Sequence, residues 1–138
     1  MRRNGQQSIR VLVAEPFPLT SDVICRAIGV PDISVVGRAT QSASVLSEVG
    51  RLRPDLVVLD GALGYKNGLI SRLKGLRSPP KVIVLGDHAD DVYQEAATAS
   101  GADRFVLKVR LFQDLLPAIR AAFPDEASST IGQRPDEA

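Results

Sequence analysis

Five short apolar runs, separated by stretches with helical spacing, constrain the fold of this chain more than any other feature. Ile9-Arg10-Val11-Leu12-Val13-Ala14 stops at Glu15, and Leu56-Val57-Val58-Leu59 stops at Asp60. Val82-Ile83-Val84-Leu85 stops at Gly86, with Asp87 and His88 behind it, and Phe105-Val106-Leu107 stops at Lys108. Ile33-Ser34-Val35-Val36 runs into Gly37-Arg38 and leads to nothing reactive. Short apolar runs bounded in this way predict strands, and the 3.6-residue spacing between them predicts helices. Five strand-helix units call for parallel strands joined by crossover helices, a doubly wound α/β sandwich. In such a sheet function gathers outside the carboxyl ends of the strands. That is the edge at which Glu15, Asp60 and Lys108 are predicted to converge.

Strands are predicted at about 9–14, 33–37, 55–60, 81–85 and 103–107. Leu19, Val23, Ile24, Ala27 and Ile28 share one face of the first helix, which Gly29 and Pro31 stop. Val45, Leu46, Val49 and Leu52 form the stripe of a second helix that begins at Ser42 and ends before Pro54. The stretch from Gly61 to Gly68, with Gly64 between, reads as a loop. Leu69, Ile70, Leu73 and Leu76 mark a third helix, terminated by Ser78-Pro79-Pro80. An alanine-rich fourth helix spans about 89–100 and closes at Gly101. The last runs from about 111 to 123 through Leu115, Leu116, Ile119 and Phe123, with Pro124 behind it. Residues 1–8 read as a disordered lead-in and 124–138 as a polar tail or linker, which leaves one domain over 9–123.

Composition removes several classes of function. A net charge of +1, from 17 basic and 16 acidic residues, gives no electrostatic footprint for nucleic acid, so no nucleic-acid contact is expected. No apolar stretch is long enough to span a bilayer and none follows Met1-Arg2-Arg3 as a signal peptide would, so no membrane partner and a cytoplasmic location are expected. Cys25, the only cysteine, excludes an internal disulfide, and its neighbours Val23, Ile24 and Ala27 predict a buried helix thiol. His88, the only histidine, has no partner at ligand spacing and reads as a loop residue. Neither a phosphate-binding glycine loop nor a Ser-His-acid set is present, and no catalytic residue is assigned.

Four segments taken together carry a resemblance. Ile9-Arg10-Val11-Leu12-Val13, Arg53-Pro54-Asp55-Leu56-Val57-Val58-Leu59-Asp60, Pro80-Lys81-Val82-Ile83-Val84-Leu85 and Gly101-Ala102-Asp103-Arg104-Phe105-Val106-Leu107-Lys108 stand in an order and spacing that resemble receiver domains of bacterial two-component response regulators of the NarL/FixJ, LuxR type. The resemblance implies a flavodoxin-like sheet with strand order 2-1-3-4-5. It implies that Asp60 matches the aspartate that accepts a phosphoryl group from a sensor histidine kinase. Lys108 matches the family lysine, Phe105 the aromatic switch position, and Gly86 the switch position where Thr or Ser usually stands. The acidic pair that helps to hold Mg2+ is matched by Glu15 and Pro16. Leu63-Gly64-Tyr65 replaces the usual Met-Pro-Gly.

These departures have a physical cost. Phosphoryl transfer rests on positioning and charge stabilisation, and Mg2+ wants a close octahedron of oxygens. Pro16 offers neither a side-chain oxygen nor a backbone N–H, Gly86 has no hydroxyl, and Asp87 adds another negative charge. Without a metal, carboxylates of Glu15 and Asp60 about 5 Å apart repel by roughly 3 kcal/mol at an effective dielectric near 20. One reading is an inefficient phosphoacceptor at Asp60, with Glu15 or Asp87 beside it as substitute Mg2+ ligands. The other is a permanent Lys108 bridge between Glu15 and Asp60, a non-enzymatic module with no cofactor, whose partner is another protein or a second copy. The loss of two independent groups favours the second. The docking surfaces expected of it are the fourth helix and the outer face of the last, with Phe112, Pro117 and Arg120.

Overall fold

The computed structural model describes residues 8–87 and 91–124. The expected lead-in and tail, apart from Ser8 and Pro124, and His88 with them, lie outside the described residues. Five strands, β1 (Ile9–Ala14), β2 (Ile33–Ala39), β3 (Leu56–Asp60), β4 (Lys81–Gly86) and β5 (Arg104–Leu107), form one sheet in the order β2-β1-β3-β4-β5. Every neighbouring pair is parallel, which is the flavodoxin-like order. Among the described residues six helices connect and flank them: α1 (Pro18–Ala27), α2 (Ser42–Leu52), α3 (Gly61–Gly64), α4 (Leu69–Lys74), α5 (Asp91–Ala99) and α6 (Leu111–Ala122).

Alternation along the strands divides the interior into two cores. Ile9, Val11, Val13, Leu56, Val58, Ile83, Leu85 and Val106 face α1 and α6, where Ile24, Ile28, Leu111, Leu115 and Ile119 close over them. Leu12, Ala14, Val57, Leu59, Val82 and Val84 face the other way, against Val45 and Val49 of α2, Ile70 and Leu73 of α4 and Ala97 of α5. β3 is buried at all five positions, as a strand covered on both faces must be. Register fixes the edge that matters: Ala14 pairs with Leu59, Asp60 with Leu85 and Gly86 with Leu107. Glu15, Asp60, Gly86 and Lys108 therefore emerge side by side.

Several sequence expectations are corrected. β2 does not stop at Gly37 but runs to Ala39, because the register with β1 slips by one residue between Val11 and Leu12 and pairing then resumes. The glycine-rich stretch after β3 is not a plain loop. Asp60 caps α3 by accepting the Ala62 N–H at 3.0 Å, and a tight turn through Asn67 (φ 56°) and Gly68 (φ 64°) leads into α4. Helix α4 ends at Lys74, whose ammonium is held by the Pro80 carbonyl (2.9 Å) and Asp103 (2.8 Å), so Leu76 lies outside it and is exposed. Leu19, in the first turn of α1, is 79% exposed rather than part of the core stripe. Cys25 is half-buried, not buried. No helix among the described residues is long and apolar enough to cross a membrane.

Candidate functional site

At the carboxyl edge of the sheet three charged side chains meet in little water. Glu15 is fully buried and Asp60 is 3% exposed, the only buried acids among the described residues. Lys108, first residue of the turn Lys108–Arg110 after β5, reaches between them. Its Nζ pairs with Asp60 Oδ1 and lies 3.1 Å from Glu15 Oε1, an approach without hydrogen-bond alignment. The second oxygen of each acid is engaged elsewhere: Asp60 Oδ2 takes the Ala62 N–H, and Glu15 Oε2 takes the Phe17 N–H at 3.2 Å. Asp87 stays at the rim, 68% exposed and 4.0 Å from Lys108. The structure thus brings Glu15, Asp60 and Lys108 together and leaves Asp87 outside the buried cluster.

Burial works against the charge on Lys108, but the hydrogen bond it donates to Asp60, then the attraction of Glu15, outweigh it and hold its pKa above the usual lysine range. Burial likewise raises the Tyr65 phenol, helped by Tyr93 and Asp60. Both groups keep their protons longer in the folded chain than in the unfolded one, so both oppose unfolding less as pH rises. We expect the denaturation midpoint to be flat below the ordinary pKa values of about 10 and to fall as pH climbs past them. Urea titrations from pH 9 to 11.5 check this, and Tyr65→Phe removes the phenol's share.

Gly86 and Phe105 form the second half of the site. A Cβ at Gly86 would lie 2.7 Å from Phe105 Cε2 and closer still to Cζ, so the half-buried ring sits where a side chain at 86 would begin. Beside it opens a cleft of about 180 Å³ lined by Gly61, Ala62, Leu85 and Gly86, with Asp87 at its edge. Tyr65 and Tyr93 wall it. Their ring centroids are 6.3 Å apart, and the Tyr65 hydroxyl donates to the Tyr93 carbonyl at 3.1 Å. Sequence reasoning missed this pair, since 28 residues separate the two tyrosines and neither lies on a patterned run.

The sequence model of the response regulator receiver domain matches residues 11–120. This chain is a response regulator receiver domain. It is 30% identical over 128 residues to the nitrate/nitrite response regulator protein NarL of Escherichia coli K12, covering 89% of this chain and 58% of that protein. It spans less than two thirds of that relative's length. Among solved structures, the NarL receiver domain of Mycobacterium tuberculosis superposes with a TM-score of 0.74 at 22% identity, covering 88% of this chain and 98% of that one. The RcsB response regulator of Salmonella typhimurium, described for its DNA interaction, superposes at 0.78 with 19% identity over 87% of this chain and 62% of that one. At these identities the two structures speak for the fold.

The metal implied by the receiver family does not fit the donors present. Pro16 contributes no side-chain oxygen, and the Lys108 ammonium is already seated between the two buried acids. Among the described residues no three acid, histidine or cysteine side chains come together as a metal-holding group. A divalent cation entering the receiver pocket would have to displace the ammonium against like-charge repulsion. The geometry suits a neutralised cluster better than a cation site.

Proposed function

We propose that this receiver works in two-component signalling without waiting for phosphorylation of Asp60: a non-enzymatic, Mg2+-free module whose partner surface is already formed. The observation that carries this reading is the Phe105 ring packed against Gly86. In the resemblance set out above, residue 86 supplies the hydroxyl that bonds a phosphoryl oxygen and residue 105 the aromatic that responds to it. Here the hydroxyl is absent and the aromatic fills its place. Lys108 supports the same reading, since its charge is spent on Glu15 and Asp60 before any phosphate arrives.

Output then runs through protein contacts, with a second copy or another protein, in the cytoplasm. Helix α5 exposes Val92 (71%), Ala96 and Ala99, and α6 exposes Phe112 (61%) and Pro117. Arg120 is withdrawn from that surface, because it forks onto Asp32 and is half-buried. Where a DNA-binding domain follows the receiver, such contacts would control transcription.

The test is direct. Acetyl phosphate with Mg2+ should leave the intact mass unchanged, and light scattering should report the same oligomer at each concentration with and without beryllofluoride. Stoichiometric phosphate on Asp60, or dimers formed only with the mimic, would overturn the proposal. Either result would promote the other reading, a phosphoacceptor served by a sensor histidine kinase.

A further inference from the structure

At the opposite end of the sheet, where the strands begin, lies a groove of about 730 Å³. It is bounded by the end of α2, the segment joining α4 to β4, and Phe123 just past α6. Val49 and Pro54 are buried beneath it, and Leu76 and Pro79 border it. Arg53, Arg77 and Lys81 rise around it, all three exposed, and none has an ion pair with a described residue. Asp55, the acid of the lining, is turned to the backbone N–H of Arg10 at 2.8 Å. The groove is therefore apolar below and positively charged at its rim.

We propose that this groove docks the segment of the same chain that follows Phe123, residues 125–138, with Asp125 and Glu126 set against Arg53, Arg77 and Lys81. Two observations carry it. Phe123 already lines the groove, and Asp125 stands two residues farther on, a reach of about 7 Å. The segment holds four acids and one arginine, the complement of the rim. A segment tethered this closely experiences an effective concentration in the millimolar range, so weak rim contacts suffice. Exposed ion pairs are individually weak and screened by salt, so the docking is salt-sensitive. It is independent of the pocket chemistry at the other edge.

A spin label on Ser128→Cys, in a Cys25→Ser background of the full 138-residue chain, tests it. In 50 mM salt the label should broaden the amides of Gly50, Leu76, Arg77 and Ser78. Raising salt tenfold, which contracts the Debye length roughly threefold, should at least halve the effect. Arg77→Glu with Lys81→Glu should abolish it, and the salt titration of the unreversed chain keeps the test valid if that variant folds poorly. No broadening at the groove, or broadening indifferent to salt, sinks the proposal. Broadening seen only when labelled chains are mixed with isotope-labelled unmodified ones also sinks it, and assigns the groove to a second copy.

Discussion

Lys108→Met is expected to destabilise the domain more than any other single change at the pocket, by about 3 to 5 kcal/mol, because it strands two buried carboxylates. In a domain of this size that corresponds to a fall of roughly 10 to 20 °C in the thermal midpoint. A second substitution distinguishes charge from packing: with the ammonium gone, the two carboxylates of Glu15 and Asp60 face each other with no cation between them. Adding Glu15→Gln to Lys108→Met should recover a kcal/mol or so, since it removes one of the two opposed charges. A midpoint unchanged in Lys108→Met would show that the cluster is not a fixed ion pair at all.

How much of this was legible in the sequence follows from the physics of each signal. The strand-end positions of Glu15, Asp60, Gly86 and Lys108 follow from apolar runs with abrupt stops, and burial of a parallel sheet on both faces makes such runs unmistakable. Helix faces were readable where the stripe lies over the sheet, as for Val45 and Val49, but not at helix ends. Leu19 and Leu76 carry the right spacing, yet they sit beyond the part of the helix that the sheet covers. The short helix α3 has no sequence signal because two of its four residues are glycines, which argue against helix, whereas a single cap from Asp60 and close packing of Gly64 on Leu59 decide the matter. Asp87 reads as part of an acidic pocket by adjacency alone; only three-dimensional structure shows it 68% exposed at the rim. The contact of Phe105 with Gly86 had no local signal either, since it joins two strands whose pairing sequence patterns suggest only in outline.

Gly86→Thr supplies the second large effect, and it separates a jammed switch from a merely vacant one. The backbone at Gly86 does not have a positive φ, so a side chain there meets no conformational penalty of its own. What it meets is the Phe105 ring, inside van der Waals contact. We expect overpacking to lower stability by about 1 to 3 kcal/mol, unless the ring swings out toward solvent. Aromatic carbon NMR should then report a new environment for Phe105, one of four phenylalanines, with the other three unchanged. Phe105→Ala alone removes packing and should be mildly destabilising. Combined with Gly86→Thr it should cost less than the two separate losses added together, by at least about 0.5 kcal/mol, because the clash is gone. Strict additivity would mean that ring and glycine do not compete for the same space, and the proposal that the receiver is held in one state would lose its main support.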